Sequence, residues 1–148
     1  MKRPLHFLLP TIIAVVLPAA IAAESDDEVS ARKGALELAG AYANDGFKLR
    51  DGHWSGPIKP GEGRIVQVNL YAGNEYYFSV AATGKAKKMA LSLYDETGAA
   101  IPLDDPYQGE SDPTAAIGFS PEASGSYYVK VQEVEGDATA FCLLCSYK

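Results

Sequence analysis

Histidine and cysteine are nearly absent: the 148-residue sequence holds two of each. Past residue 6 the histidine is His53, and the cysteines are Cys142 and Cys145. A structural zinc takes four Cys or His ligands, and these residues do not supply a convincing set. Nucleophilic catalysis of the Ser–His–Asp kind needs the histidine held by an acid and bonded to the serine. His53 has Asp51 and Ser55 on either side, but neighbours two apart on an extended chain do not make that relay. A small hydrolase using Asp51, His53 and Ser55 is therefore the least favoured class, and a non-enzyme is expected. Basic charge is scarce as well, with 13 Lys and Arg against 19 Asp and Glu and a net charge of −6. Nucleic-acid binding needs a basic surface to neutralise phosphates, so that class is excluded.

Long apolar runs are missing after residue 23. Before it, Lys2 and Arg3 precede an apolar stretch from Leu5 to Leu17, broken by Pro10 and Thr11. Pro18 then leads into Ala19-Ala20-Ile21-Ala22-Ala23. A basic start, an apolar centre and a small-residue exit read as a secretory signal peptide, cut after Ala22 or Ala23. The run is shorter than the roughly 20 residues a spanning helix needs, which favours a cleaved leader over an anchor. No cysteine follows it, which disfavours a lipoprotein. The expectation is a periplasmic or secreted protein with no membrane span after cleavage. Residues 1–23 are read as the signal peptide, 24–50 as an N-terminal helix and linker, and 51–148 as a β-sandwich domain.

Residues 26–44 read as one helix. Ser25, Asp26 and Asp27 offer capping oxygens, and acids suit the positive helix start. Val29, Leu36, Ala39, Tyr42 and Ala43 recur near helical spacing as an apolar stripe. Asn44-Asp45-Gly46 is a stop signal, with Gly46 free to turn left-handed.

From Asp51 onward the period changes to two. Residues 53–63 are rich in Gly and Pro and read as turns. Val66, Val68 and Leu70 alternate with polar residues, as do Tyr76, Phe78 and Val80, then Met89, Leu91 and Leu93. The connection 83–88 is polar. A short strand is expected over 99–103, and a loop over 104–113. Ala115, Ile117 and Phe119, then Tyr127, Val129 and Val131, then Phe141, Leu143 and Cys145 complete the set, with a polar turn at 133–137. Short alternating strands between turn signals predict a mainly β protein, an antiparallel β-sandwich with one N-terminal α-helix. Parallel strands would need crossover helices.

Four segments carry a family resemblance: Gly56-Pro57-Ile58-Lys59-Pro60-Gly61-Glu62, Leu70–Phe78 with Ala72-Gly73-Asn74-Glu75, Leu91–Gly98 ending Tyr94-Asp95-Glu96-Thr97-Gly98, and Ala123–Val131. Their order over residues 54–147 resembles the bacterial pre-peptidase C-terminal domain family. The resemblance implies a secreted sandwich of jelly-roll-like topology, a role in attachment to substrate or matrix, and in some members calcium.

Three constellations remain. Asp104, Asp105, Glu110 and Asp112 fall in one loop without an intervening base; calcium takes six to eight oxygens from such loops, the alternative being a solvated loop. Tyr71, Tyr77, Tyr94 and Tyr128 are placed outward by the strand alternation. They offer apolar bodies with polar tips to a protein or polysaccharide partner, or else pair across strands, or lie under the helix. Cys142 and Cys145 have C-x-x-C spacing, but in a regular strand they sit about 10 Å apart on opposite faces. A bridge needs Cα atoms within about 7 Å. They are read as buried thiols, with a disulfide, within or between chains, as the alternative. No cofactor other than calcium is suggested. The functional expectation is an exported, non-catalytic binding or structural module of unknown ligand, or an accessory subunit docking on a secreted enzyme.

Overall fold

The computed structural model describes residues 23–110 and 112–148; the expected signal peptide lies outside the described residues except for Ala23. Helix α1 spans Asp26–Ala41 and a 3-10 turn spans Ala43–Asp45. Ten strands follow: β1 Lys48–Leu49, β2 Trp54–Ile58, β3 Gly63–Leu70, β4 Tyr76–Ala82, β5 Ala86–Tyr94, β6 Ala100–Ile101, β7 Tyr107–Gln108, β8 Thr114–Phe119, β9 Gly125–Gly136 and β10 Thr139–Tyr147.

The first sheet runs β1-β10-β4-β8-β7, with β2 sharing the β1 edge of β10, and the second runs β3-β9-β5-β6. Every pairing is antiparallel. Strands β2-β10-β4-β8 face β3-β9-β5-β6, and the chain changes sheet at six of its nine strand connections. This is the jelly-roll order, the predicted sandwich with its N-terminal helix. The core lies between the sheets and holds Val66, Val68 and Leu70 of β3, Phe78 and Val80 of β4, Met89, Leu91 and Leu93 of β5, and Val129 and Val131 of β9.

Helix α1 covers the outer face of the first sheet. Ala31, Ala35 and Ala39 pack on Ala81, Cys142 and Leu144 as a second buried cluster. Strands β4 and β10 are therefore buried on both faces, which explains why β10 reads as a nearly unbroken apolar run. Ser25 caps the helix with Glu28 in a reciprocal capping box. Arg32 pairs with Glu24 at 2.8 Å, and Lys85 reaches back from the β4–β5 turn to Asp27 at 2.7 Å.

Several local expectations are corrected. Of the apolar stripe Val29, Leu36, Ala39, Tyr42 and Ala43, Ala39 is buried against the sheet as expected, whereas Val29 and Leu36 are 45% and 44% exposed. The docking face follows the four-residue spacing of Ala31, Ala35 and Ala39, and at about 100° per residue Leu36 and Val29 lie roughly 100–120° around the axis from Ala35. Close approach selects small side chains here: a Cβ on Gly34 would lie 3.1 Å from Ala81 Cβ. The helix ends at Ala41 rather than Asn44, where the backbone tightens to 3-10, and Gly46 makes the expected left-handed exit at φ 89°. Residues 53–63 contain β2, an edge strand that tolerates Pro57 because the proline lacks only a donor there. The 104–113 loop contains β7, and β5 already begins within the polar 83–88 connection. The turn expected at 133–137 starts later, since β9 runs through to Gly136 and carries Glu133 inward.

Cys142 and Cys145 are both free and buried. They alternate along β10, Cys142 under α1 and Cys145 in the core. Burial pushes both thiols up to about 11.

Candidate binding groove

The loop between β6 and β7 leaves the second sheet and crosses to the edge of the first. Asp105 sits at φ 46°, the one non-glycine residue with positive φ among the described residues; aspartate is among the few side chains that tolerate it. The backbone then pairs as β7 with Ala115 and Ala116 of β8. Gln108 anchors the strand inward by donating its side-chain amide to the Met89 carbonyl, and Gly109 N–H donates to the Thr114 carbonyl at 3.0 Å. Tyr107, immediately before these anchors, stays 44% exposed.

The facing wall comes from the end of α1 and from β4. Tyr77 points to the outer side of the first sheet, and its ring packs over Gly118 of β8, where a Cβ would come within 3.1 Å. Tyr42 stacks on Tyr77 with ring centroids 3.8 Å apart, and Phe47 meets Tyr77 edge-on at 5.5 Å. Burial, and next a hydrogen bond with Tyr77, push the Tyr42 hydroxyl well above the usual phenol range. The ammonium of Lys148 lies 4.6 Å from the Phe47 ring centre and 3.2 Å from Glu75.

Between these walls runs a groove of about 770 Å³, lined by Tyr42, Tyr77 and Tyr107 and by Asp105, Glu110 and Asp112. A second depression of about 590 Å³ shares Tyr77 and Asp105 and adds Phe47, Glu75 and Asp104. Among the described residues no Lys, Arg or His lines either one. Asp104, Asp105, Glu110 and Asp112 make no ion pair among the described residues. The combination is an aromatic surface edged by carboxylates, of which Glu75 is paired, with Lys148.

Of the four acidic residues expected to gather around calcium, Asp105, Glu110 and Asp112 line this groove and Asp104 lines the neighbouring depression. Among the described residues no group of three or more His, Cys, Asp or Glu side chains is placed to hold a metal. The four expected tyrosines do not form one face. Tyr77 lies in the groove, Tyr94 and Tyr128 pair directly across β5 and β9 on the outer face of the second sheet, and Tyr71 stands 60% exposed in the β3–β4 turn. Alternation sets which side of a sheet a residue faces, but not which sheet the strand joins, and this separates them. Asp51, His53 and Ser55 lie on the surface at the start of β2, where His53 Nε2 is 3.7 Å from Glu24. Tyr107 and Phe47 were not singled out from the sequence; an aromatic flanked by acids in a proline-bounded loop was the available signal for Tyr107.

No family model matches the sequence, and no curated protein sequence matches it. Among solved structures the chain is similar to Aeromonas hydrophila PliG, a periplasmic lysozyme inhibitor of g-type lysozyme. That match has 15% identity over 66% of this chain and 85% of that one, with a TM-score of 0.44. It is also similar to a de novo designed double-stranded β-helix, at 14% identity over 64% of this chain and 97% of that one, with a TM-score of 0.36. Both likenesses are too remote to carry an argument about function. Among the described residues no helix is long and apolar enough to cross a membrane.

Proposed function

We propose that this chain is an exported, non-catalytic binding module, periplasmic or secreted, that holds a protein partner by lysine and arginine side chains laid into the groove. One observation supports this reading: among the described residues three tyrosine side chains and three unpaired carboxylates line the groove, with no base among them. A cation over an aromatic face gains about 0.5–1 kcal/mol when exposed and about 2 or more when desolvated. Carboxylates alongside add charge-assisted hydrogen bonds and steer a basic partner in by long-range attraction. The chain already makes this contact internally, with Lys148 over Phe47. Attachment rather than catalysis is also what the resemblance to the pre-peptidase C-terminal domains implies. An enzyme that presents a basic patch would be one such partner, which gives the accessory-subunit reading the same site.

The test uses a fluorescent tetra-arginine peptide as probe. The wild-type protein should bind it with an affinity that falls as salt rises. The triple variant Asp105→Asn, Glu110→Gln, Asp112→Asn should bind about tenfold or more weakly. Its melting temperature should not move, because all three side chains are exposed and unpaired. Equal binding by the variant contradicts the proposal. Calcium that displaced the peptide and raised the melting temperature would instead make the loop a metal site.

A further inference from the structure

A second depression, of about 260 Å³, lies at the open end of the sandwich and is lined by Arg50, Tyr71, Asn74, Tyr76 and Tyr147. It shares no lining residue with the acidic groove, and among the described residues no carboxylate lines it. Arg50 N–H donates to the Cys145 carbonyl at 2.9 Å, which fixes the residue at the edge of the first sheet. Its guanidinium then crosses to the second sheet and donates through Nη1 to the Asn69 carbonyl at 3.2 Å. Tyr147, at the end of β10, pairs in register with Tyr76 of β4. The β3–β4 turn closes the remaining side and is tied down three ways. Tyr71 N–H and Asn74 Nδ2 both donate to the Tyr76 hydroxyl, at 3.0 and 3.2 Å, and Ala72 N–H donates to Ser124 Oγ at 2.9 Å. A tyrosine 60% exposed is thus mounted on a backbone that cannot easily move.

We propose that this depression is a binding site for a single neutral sugar ring of a glycan. Tyr71 and Tyr147 supply apolar ring faces of the kind that stack on the C–H face of a pyranose. The polar groups are mixed in sense. The Arg50 guanidinium has five N–H donors and spends one on Asn69. The Tyr76 hydroxyl accepts two N–H groups and keeps its own proton to give. Asn74 donates through Nδ2, which leaves its amide oxygen as an acceptor. A polyhydroxyl ring both gives and accepts hydrogen bonds, whereas a carboxylate only accepts. The chain's net charge of −6 further opposes an anionic polymer. The volume falls below the roughly 300–1,000 Å³ of sites that enclose drug-sized ligands, which limits the occupant to about one ring.

Amide chemical shifts of the ¹⁵N-labelled protein, titrated with methyl glucoside, methyl N-acetylglucosaminide and methyl glucuronide, test this site. At least one neutral glycoside should give saturable shifts at residues 71–75 and at Tyr147, and should bind more tightly than the glucuronide. Tyr71→Ala, which removes an exposed ring and keeps the backbone bond to Tyr76, should weaken that binding about tenfold. No saturable shift from either neutral glycoside overturns the proposal. So does tighter binding of the glucuronide, or an affinity unchanged in Tyr71→Ala. Loss of peptide binding at the acidic groove leaves this result untouched, so the two sites fail independently.

Discussion

Ala35→Leu is expected to lower the melting temperature by about 5–10 °C and to open Cys142, but not Cys145, to thiol reagents. Ala35 is fully buried at the centre of the contact between α1 and the first sheet. Inserting a larger side chain into a closed contact costs about 1–3 kcal/mol. In a domain of this size each kcal/mol moves the midpoint by roughly 3–5 °C. The helix relieves the overlap by lifting away, and the first group uncovered is Cys142, which lies on the helix-facing side of β10. Its thiol, held up to about 11 by burial, then approaches the ordinary value of about 8.5, and the thiolate present near pH 8 rises roughly two-hundredfold. Cys145, on the opposite side of the same strand, stays in the sandwich core. Peptide mapping after a short exposure to a thiol reagent reads the difference directly. Labelling of both cysteines at one rate would mean that helix and sandwich open together.

Glu133→Gln is expected to stabilise the protein at pH 7 and to have little effect near pH 4. Glu133 is completely buried, and neither of its carboxylate oxygens has a hydrogen-bond partner. It stands on β9 opposite Met89, where a bulge in the β5–β9 ladder carries it inward. Burial first, and the nearby Asp137 charge second, raise its pKa above the ordinary carboxylate value. The folded chain therefore binds this proton more tightly than the unfolded chain does. Its contribution is whole below the ordinary glutamate value of about 4.3 and is lost as pH rises through the raised folded-state value. The uncharged variant escapes that loss. A buried polar group without partners costs about 1–3 kcal/mol, and more when charged, so the gain at pH 7 should be several degrees in melting temperature. Glu133→Leu removes the polar atoms altogether and should gain at least as much. A gain of equal size at pH 4 and pH 7 would show that packing, not charge, is responsible.

The alternation after Trp54 was enough to reveal the sandwich. Val66, Val68 and Leu70 face the core with polar neighbours outside, as an antiparallel sheet with one wet face requires. The same rule also kept Cys142 and Cys145 apart. It failed where a strand is short, at an edge, or buried twice. β2 hid behind Gly56 and Pro57, and β7 behind the prolines of an acidic loop, because edge pairing imposes no apolar period. Large residues suggested the wrong face for α1, since a helix docking at close range selects alanine and glycine, whose hydropathy signal is weak. The acidic residues at 104–112 were visible from the start. Among their aromatic partners Tyr77 was marked as an outward tyrosine and Tyr42 as part of the helical stripe, but Tyr107 was not, and the meeting of the three was hidden because they come from three elements brought together only by the sheet order. Glu133 was hidden for a related reason: a charged residue before Val134 and Glu135 reads as a turn until a bulge turns it inward.

Mapping where a cationic probe lands tests the central claim most directly. Amide shifts of the labelled protein, recorded as tetra-arginine is added, should concentrate at Tyr42, Tyr77 and residues 104–112 and should fade as salt is raised. Shifts scattered over the acidic surface, or centred on the Tyr94–Tyr128 face of the second sheet, would contradict it.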